Sequence, residues 1–437
     1  MTDIVMSSLP NKDQRSIVDA LFSGHSVRFT FHRRNSDFVG ERDILLFLQI
    51  FVEFGLGRGV WGKMRGKRKA SKDLGAEEDV EQQTPAIKLR KIEESNLGET
   101  SRTKTSQDED KLSPKEKLKD FTFHRELGSG NYGKVLLASH AAHKAKVAVK
   151  IASKKQIIEE EPESATLERR VLEMVEASPF FTHLHQSFQT KELLYYILEY
   201  IGGGSLKDKL ESTGKCDEET VKFYAAELIS GISYLHSKRV IHRDLKPDNI
   251  LISNNGHLKI ADFGLSTILE SDSNTTQGYA GTLEYMAPEM VSNKKYSFGV
   301  DWWSCGVILY ELATGMLPLQ AKTPAALKRK ILKSHLSFPG DMNPELKDLI
   351  QQLLKRDPNR RLNENNIRHH GLFRDINWTE VEACRLHPPN HPCQMSLEEE
   401  ATSNEILLPE ETNLPGISSN EQKFFTGFSY TSAAWKT

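Results

Sequence analysis

The sequence has few cysteines, no excess of either charge and no long apolar run. Neither a disulfide framework nor a zinc module is expected, because no two cysteines form a CxxC pair. The 58 Lys and Arg residues nearly balance the 60 Asp and Glu residues, which disfavours a nucleic-acid binder and an acidic solvating tail. We therefore predict a chain of the cytosol or nucleus with no nucleic-acid partner. The four cysteines are Cys216, Cys305, Cys384 and Cys393.

Membrane insertion and secretion are also not expected. The first 16 residues lack a basic region followed by an apolar run, so they do not resemble a secretory signal. The most apolar stretch, 44–55, contains Gln49 and Glu53 and is shorter than the roughly 20 residues of a spanning helix. We predict no membrane span and expect 44–55 to form a short packed helix. Membrane-surface binding is less favoured because the flanks are not strongly basic.

Composition and hydrophobic periodicity divide the chain into four parts. Residues 1–61 have no assignable role, and 62–120 are charged and poor in aromatics, as in a disordered linker. From 121 to 373, short β-rich runs such as KVAVKIA precede longer helical patterns such as EETVKFYAAELISGISYLHS. Residues 374–437 form a Pro-rich, acidic tail with an aromatic ending. Strands followed by helices predict an α+β fold with a β-rich small lobe and a mainly helical large lobe.

A glycine-rich stretch, LGSGNYGKV, opens the predicted domain at Leu127. Gly128, Gly130 and Gly133 would let the backbone approach phosphates, and Leu127 and Val135 could cover a flat base. A dinucleotide-binding Rossmann unit also carries GxGxxG, but its loop runs from a strand into a helix. Here a strand-like run follows the loop, which favours a glycine-rich hairpin.

Motifs further along the chain indicate the class of protein to which this hairpin belongs. VAVK ends a β run at Lys150, IHRDLKPDNILI supplies Asp244 and Asn249, and IADFGLS supplies Asp262. Each residue taken singly could be an ordinary surface or turn residue. Together, and in this order, the motifs resemble those of a eukaryotic protein kinase from 121 to 373. The resemblance implies a bilobal kinase fold, ATP and Mg²⁺ as cofactors, and protein substrates.

The resemblance also implies a role for each motif residue. Lys150 would hold the α- and β-phosphates and pair with a helical glutamate, for which Glu168 is favoured over Glu163. Asp244 would orient the substrate hydroxyl, and Lys246, typical of serine/threonine kinases, would stabilise the transferring phosphoryl group. Asn249 and Asp262 would bind Mg²⁺. The predicted nucleotide-binding residues are Leu127, Gly128, Ser129, Gly130, Asn131, Tyr132, Gly133, Lys134, Val135, Ala148, Lys150, Glu199 and Ile201.

Two functions from different classes fit these motifs. The favoured one is catalysis, because no catalytic residue of the family pattern is missing. The alternative is a pseudokinase-like scaffold that keeps the fold and binds partners without transferring phosphate. An assay of phosphate transfer separates the two.

Within the kinases, the chain resembles the AGC group, and protein kinase C of the novel, delta-like type in particular. The stretches LEYIGGGSL, VDWWSCGVILYELATG and FRDINW carry this resemblance. Phe425, Phe428, Ser429 and Tyr430 match the tail motif of that group, whose aromatic rings plug a pocket on the small lobe. Residues 1–120 contain no cysteine, so no diacylglycerol-binding zinc module is expected in them.

One departure from the family concerns substrate recognition. Ser205 replaces the acid that usually follows the paired glycines near the hinge, which should weaken ribose contact and recognition of an upstream arginine. Asp248 and Glu311 remain at the positions that resemble the other readers of basic residues. We therefore predict a kinase that still favours basic substrates, with less stringency.

The second departure concerns activation. In AGTLEYMAPE, Thr282 takes the substrate-facing position, and Glu289 is expected to pair with Arg361. Gly278 stands four residues before Thr282, where AGC kinases carry a phosphothreonine. Either a shifted threonine, Thr275 or Thr276, supplies the phosphate through an upstream kinase, or the chain relies on Ser429. The shifted threonine is favoured slightly, since Arg243 still offers a fork for an anion.

Two features lie before the predicted domain. Ser36 follows two arginines, a target pattern for basophilic kinases, although a solvated arginine pair is the more common explanation. The basic cluster around Lys67, Arg68 and Lys69, with KLRK further on, resembles a two-part nuclear import signal. Basic runs in linkers are more often simply solvated.

Overall fold

The computed structural model describes residues 2–5, 27–30, 117–130, 133–160, 166–270, 273–389 and 416–436. The chain forms two compact units, Met1–Ser101 and Arg102–Thr437. In the first unit, strand β1, Thr2–Val5, pairs in parallel with strand β2, Val27–Thr30. The predicted helix at 44–55, Ser36, the basic clusters and most of the 62–120 linker lie outside the described residues.

The second unit begins with an antiparallel sheet whose six strands follow the order β12-β6-β7-β5-β4-β3. Alternating apolar residues create it: in β5, Val147 and Val149 are buried while Lys150 points to the other face. The apolar runs predicted as strands therefore form strands. The strands are β3 Phe121–Gly130, β4 Gly133–His140, β5 Ala145–Ser153, β6 Leu184–Gln189, β7 Leu193–Glu199 and β12 Tyr430–Thr431.

Two helices connect β5 to β6, and the second faces the core with one apolar stripe. In α2, Val171, Leu172 and Val175 are buried at helical spacing, and Glu168 on the first turn is buried with them. A buried carboxylate on an otherwise apolar stripe requires a charged partner. The helices are α1 Lys154–Glu160 and α2 Leu167–Val175.

The large lobe is mainly helical. Its central helix α4, Glu218–Ser237, covers the range predicted from periodicity, and the Asp217 side chain caps it by accepting from the Thr220 amide at 2.8 Å. The other helices are α3 Leu206–Thr213, α5 Pro288–Val291, α6 Gly299–Thr314, α7 Pro324–Lys333, α8 Pro344–Leu353, α9 Glu364–Ile367 and α10 Trp378–Glu382.

Short strands at the junction between the lobes carry the motif residues. Strand β8 pairs with β11, and β9 pairs with β10, both antiparallel. A single 3₁₀ turn, Pro247–Asn249, leads into β9. The strands are β8 Val240–Ile241, β9 Ile250–Ile252, β10 Leu258–Ile260 and β11 Thr267–Ile268.

Helix α6 ends where its backbone turns left-handed. Gly315 has φ of +74°, and a Cβ there would lie 2.3 Å from the Gly214 carbonyl oxygen. Only glycine satisfies both constraints. The strand-rich small lobe and helical large lobe confirm the predicted α+β fold. Within the described residues, no helix is both long and apolar enough to cross a bilayer.

Candidate active site

The glycine-rich stretch forms a hairpin between two strands. Gly130 of β3 pairs with Gly133 of β4, and the intervening Asn131 and Tyr132 lie outside the described residues. A Cβ on Gly133 would lie 1.8 Å from the Ile151 carbonyl oxygen, so this position tolerates only glycine. A Cβ on Gly128 would meet no heavy atom within 4 Å, which leaves open space beside the hairpin. A strand, not a helix, follows the loop, and the Rossmann alternative is excluded.

One face of the small-lobe sheet places apolar side chains and a cation together. Val135 pairs with Lys150, and Lys150 pairs in turn with Tyr196 on β7. Directly opposed residues of an antiparallel pair project from the same face. Ala148, two residues before Lys150, shares this face and pairs with Leu198. Apolar cover therefore adjoins the Lys150 ammonium, as a nucleotide requires.

The remaining predicted nucleotide-binding residues lie at the ends of these strands. Ser129 pairs with Lys134 within the hairpin. Glu199 ends β7, where its carboxylate accepts a hydrogen bond from Lys259 Nζ at 3.0 Å, and its amide donates to the His183 carbonyl. Ile201, two residues after Glu199, is partly exposed. The Glu199 side chain therefore faces Lys259, so this residue would present its backbone to a nucleotide.

Lys150 lies between two carboxylates. Its Nζ donates to Glu168 Oε1 at 2.6 Å and to Asp262 Oδ1 at 2.7 Å. Burial opposes the ammonium form of Lys150, but the two carboxylates outweigh it and raise its pKa. The charge of Lys150, together with its hydrogen bond, lowers the pKa of Asp262 to about 2. The competing candidate, Glu163, lies outside the described residues.

Tyr196 supports this ion pair and was not predicted from the sequence. Its hydroxyl is hydrogen-bonded to the Glu168 carboxylate, and Lys150 Nζ lies 5.9 Å from the centre of its ring. Burial raises the pKa of Glu168, whereas Lys150 and the Tyr196 hydroxyl act in the opposite direction. The alternation of LLYYILEY placed Tyr196 on a strand, but no local pattern indicates a partner on a distant helix.

Asp244 lies in a network of donors. The Thr282 amide and Thr282 Oγ1 donate to Asp244 Oδ1 at 2.8 and 2.7 Å. Lys246 Nζ donates to Asp244 Oδ2 and to Thr282 Oγ1, both at 2.9 Å. Asn249 Nδ2 donates to the Asp244 carbonyl at 2.9 Å. The carboxylate is therefore held by hydrogen bonds beside a cation and a hydroxyl.

The backbone before Asp244 is held by a second buried carboxylate that was also not predicted. Asp301 Oδ2 accepts from the His242 amide at 2.9 Å, and Oδ1 accepts from the Arg243 amide at 3.0 Å. His236 Nε2 lies 2.8 Å from the same carboxylate. Arg243 has a left-handed φ of +70°, which these bonds stabilise. An acid directly before the two tryptophans of the apolar helix α6 was the sequence signal for such a role.

Asn249 and Asp262 form an oxygen-rich pair suited to a hard cation. The Ala261 amide donates to the Asn249 carbonyl at 2.8 Å, which places Asp262 next to Asn249 across two chain segments. Asp262 is ionised at neutral pH because its pKa is about 2. Asn249 donates through its NH₂ group, so its amide oxygen is the atom that would serve as ligand. Carboxylate and amide oxygens fit Mg²⁺.

A family model described as the protein kinase domain matches residues 121–373. The chain belongs to the protein kinase family. The fold brings Lys150 into contact with Asp262, and Asn249 connects the segment of Asp244 to that of Asp262. A protein kinase domain implies the use of ATP and Mg²⁺ in general.

Similarity to individual relatives confirms the predicted AGC resemblance. The chain is 38% identical to "Protein kinase C delta type" of Mus musculus over 320 residues, which cover 72% of this chain and 48% of the relative. It is 38% identical to "Serine/threonine-protein kinase Sgk2" of Homo sapiens over 326 residues, covering 71% and 88%. This kinase is therefore of the serine/threonine type. It spans about half the length of the protein kinase C delta relatives that it matches.

Ser205, which stands near the hinge where the family usually has an acid, has a structural role of its own. Ser205 caps helix α3: its hydroxyl accepts from the Asp208 amide at 3.1 Å and donates to the Asp208 carboxylate at 2.8 Å. This reciprocal capping box occupies both side chains. Neither group is therefore directed by the fold toward a substrate arginine.

Acidic groups remain at the expected substrate side. Glu311 accepts from the Tyr285 hydroxyl at 2.6 Å. Burial and this bond raise the pKa of Tyr285, and the charges of Glu311 and Asp248 add to the effect. Burial raises the pKa of Glu311, whereas the hydrogen bond from Tyr285 and the charge of Lys207 act in the opposite direction. The relaxed preference for basic peptides stays a prediction.

Backbone geometry and hydrogen bonds define the described part of the activation segment around Gly278. Gly278 has φ of +137°, a backbone conformation that a threonine would rarely adopt. Thr276 exchanges two backbone hydrogen bonds of 2.8 Å with Tyr296. Arg243 donates to the Leu265 carbonyl at 2.5 Å and to the Ser266 carbonyl at 3.1 Å. Two main-chain carbonyls thus accept from the Arg243 guanidinium, and phosphate binding by this residue stays a prediction.

The end of the activation segment is anchored by the predicted ion pair. Arg361 Nη1 and Nη2 donate to the two oxygens of Glu289 at 2.6 and 2.9 Å. Both residues are buried, and the Arg361 guanidinium lies 5.4 Å from the ring centre of Trp303. The predicted pairing of Glu289 with Arg361 is confirmed.

The C-terminal motif packs on the small lobe. Phe425 and Phe428 are both fully buried. Lys154 Nζ lies 5.0 Å from the centre of the Phe425 ring, and Phe428 packs edge-on against Tyr196 at 5.1 Å. The tail therefore contacts the same tyrosine that supports Lys150 and Glu168. Tyr196 thus contacts both the docked tail and the ion pair of Lys150 with Glu168.

Backbone pairing extends this contact beyond the aromatic rings. Tyr430 of β12 pairs with Ser187 of β6, and Ser187 Oγ donates to the Phe428 carbonyl at 2.7 Å. Ser429 between the two aromatic residues is exposed. Near the end of the chain, Trp435 stacks on His143 and His185 at centroid distances of 3.8 and 4.4 Å. The tail thus becomes an edge strand of the small-lobe sheet, and a phosphate on Ser429 would remain accessible.

Proposed function

We propose that this chain is an active serine/threonine kinase that transfers the γ-phosphoryl group of ATP to protein hydroxyl groups. The proposal rests on the hydrogen-bond network that joins Asp244, Lys246 and Thr282. This network orients a carboxylate and a cation toward one point without any further rearrangement. The scaffold alternative has no comparable support, because a partner-binding role requires no such arrangement.

Asp244 would act on the incoming hydroxyl. The substrate oxygen forms a bond to the γ-phosphorus, the bond from that phosphorus to the bridging β–γ oxygen breaks, and the hydroxyl proton passes to the Asp244 carboxylate. ADP leaves with the electron pair of the broken bond. Lys246 Nζ, 2.9 Å from Asp244 Oδ2, would stabilise negative charge on the transferring group. Most of the rate gain comes from such positioning and charge stabilisation.

Lys150 would hold the α- and β-phosphates, oriented by Glu168 at 2.6 Å. Asn249 and Asp262 would hold Mg²⁺, which when bound neutralises phosphate charge. Asp262 contacts Lys150 directly, so its carboxylate must exchange part of that contact for the cation. Val135 and Ala148 would cover the adenine, since their side chains share a face of the sheet with Lys150.

Phosphate transfer to a serine in a basic peptide tests the proposal. We expect transfer from ATP to serine or threonine, with arginine-containing peptides preferred over alanine controls. Replacing Glu311 by glutamine should reduce that preference by roughly fivefold, the effect of an ion pair of about 1 kcal/mol. Glu380→Gln, at a partly exposed residue paired with Arg385, is the control and should retain the preference for arginine-containing peptides. A preference for acidic or proline-directed peptides would contradict the assignment of basic substrates.

Activation is proposed to require no phosphate on the activation segment. The contacts of Arg243 and Thr276 support this alternative over the shifted threonine favoured from sequence. The Thr275→Ala, Thr276→Ala double variant should retain its kcat/KM within about twofold, well below the tenfold change that ~1.4 kcal/mol would produce. Ser429→Ala should lower activity more than the double variant. A tenfold loss in the double variant, with phosphate found on either threonine of the active protein, would restore the upstream-kinase alternative.

We also propose a cytosolic or nuclear location. The basic cluster around Lys67 and Arg68 supports nuclear import, although it lies outside the described residues. An unchanged nuclear fraction after replacement of Lys67, Arg68 and Lys69 would exclude import through this cluster.

A further inference from the structure

We propose that the large lobe contains a site for a soft divalent cation, with Zn²⁺ as the expected ion. Its ligands are Glu227, His257 and Cys384. One donor atom from each, a carboxylate oxygen, a ring nitrogen and Sγ, lies within 4.8 Å of the other two. The sequence pattern did not predict this site, because the three residues are far apart in the chain and contain no CxxC pair.

Three separate elements bring the ligands together. Glu227 lies within helix α4, and His257 lies in the turn between β9 and β10. Cys384 follows helix α10, where the domain passes into the tail, and its amide is fixed by a 2.9 Å bond to the Val381 carbonyl. A cation here would tie the beginning of the tail to the centre of the large lobe.

The carboxylate and the imidazole are already held in place. Glu227 Oε1 lies 2.5 Å from His257 Nδ1, and Glu227 Oε2 accepts from the Leu258 amide at 2.8 Å. Glu227 and His257 are buried. The backbone bond fixes the outer carboxylate oxygen, as the surroundings of metal ligands commonly do. One donor atom each of Glu227 and His257 lies within 4.8 Å of Cys384 Sγ.

The spacing is close to that of a tetrahedral zinc site. Zinc bonds of about 2.0 to 2.3 Å place tetrahedral ligands about 3.3 to 3.6 Å apart. Glu227 Oε1 and His257 Nδ1 would therefore separate by about 0.8 Å when the ion replaces their shared proton. Cys384 is only half-buried, which leaves a path for entry and a fourth position for water. A site with three protein ligands and one water has the ordinary zinc coordination number.

Charge and ligand type favour zinc over Mg²⁺ or Ca²⁺. One carboxylate and one thiolate balance a divalent charge, so the buried site would be neutral overall. Thiolate and imidazole select zinc, whereas magnesium and calcium prefer oxygen ligands. Binding forms three coordinate bonds, releases the Cys384 thiol proton to solvent and moves the imidazole proton from Nδ1 to Nε2. No electron transfer is involved.

Metal titration of the full chain tests the site. We expect a single Zn²⁺ to remain bound per chain after dialysis, and Co²⁺ to give a thiolate charge-transfer band in the near ultraviolet. Cys384→Ser should abolish the band and the zinc-dependent rise in Tm. His257→Gln should weaken zinc binding by about 10- to 100-fold or more, since a direct ligand is lost.

Two matched variants make the result specific. Cys216→Ser removes another described free cysteine and should leave binding unchanged. Cys393→Ser removes the nearest cysteine in sequence, which lies outside the described residues, and should also leave it unchanged. Absence of retained zinc in the wild type, or a cobalt band that persists in Cys384→Ser, would overturn the proposal. An unchanged Tm of the metal-free Cys384→Ser variant would show that the variant still folds.

Discussion

Replacing Asp244 by asparagine should lower kcat for phosphoryl transfer by roughly 10²- to 10⁴-fold, the range for loss of a positioned proton acceptor. The amide is nearly isosteric with the carboxylate, so its contacts with Thr282 and Lys246 can persist in part. It is a much weaker proton acceptor and has no negative charge to oppose the Lys246 ammonium. The expected loss is therefore in the chemical step.

Measurements of kcat and of ATP affinity on the same preparation distinguish this outcome from misfolding. We expect the Kd for ATP and the Tm to remain close to those of the wild type. Asp375→Asn is the control, because Asp375 is an exposed carboxylate paired with Lys222 at 2.7 Å outside the cleft. Full activity in Asp244→Asn would contradict the role assigned to Asp244.

Replacing Arg361 by methionine should reduce the free energy of unfolding by about 3–5 kcal/mol, because the buried Glu289 carboxylate would lose its partner. Arg361 is 4% exposed and Glu289 is 6% exposed, so water cannot easily replace the lost bonds. Arg361 Nη1 also donates to the Gly299 carbonyl at 2.7 Å, and Nε donates to the Lys355 carbonyl at 3.0 Å. These carbonyls would lose their donors too.

The chain contains a matched surface pair for comparison. Arg385 donates to both oxygens of Glu380 at 2.7 and 2.8 Å; Arg385 is exposed and Glu380 is partly exposed. Arg385→Met should change stability far less than Arg361→Met, because water and salt screen a pair at the surface. The Arg361→Met, Glu289→Leu double variant should recover part of the loss, since no buried charge is left unpaired. Equal effects of Arg361→Met and Arg385→Met in denaturant unfolding would refute the explanation by burial.

Local patterns allowed much of the fold to be predicted. The alternation in KVAVKIA and the helical period in EETVKFYAAELISGISYLHS placed β5 and α4, because each segment buries one face regardless of its distant neighbours. Motif order placed Lys150, Asp244 and Asp262 in one site, and Glu168 was selected because Val171 and Leu172 follow it at helical spacing. Each of these inferences needed only nearby residues or a known order.

Other features depend on contacts that no local pattern encodes. Tyr196 contacts both Glu168 and the tail residue Phe428, which is more than 200 positions away in sequence. The Arg243 guanidinium donates to two backbone carbonyls, and such partners have no sequence signature. The ligands Glu227, His257 and Cys384 likewise meet only because three elements pack together.

Tyr196 connects the tail to the ion pair of Lys150 with Glu168, because its side chain contacts both Phe428 and Glu168. Removal of Phe428 would leave a cavity against its ring, and any shift of Tyr196 would alter the hydrogen bond to Glu168. Neither step requires a phosphate on the activation segment. This arrangement agrees with a kinase whose activity depends on tail docking, in line with the position of exposed Ser429 beside the buried Phe428.

Transfer of labelled phosphate from ATP tests the central claim most directly. The wild-type chain, Asp244→Asn and Lys150→Met should be compared at equal concentration with Mg²⁺ and a basic serine peptide. The account predicts phosphoserine from the wild type and a signal at least about 10²-fold lower from each variant. Equal signals from all three proteins would contradict it and leave only the scaffold function.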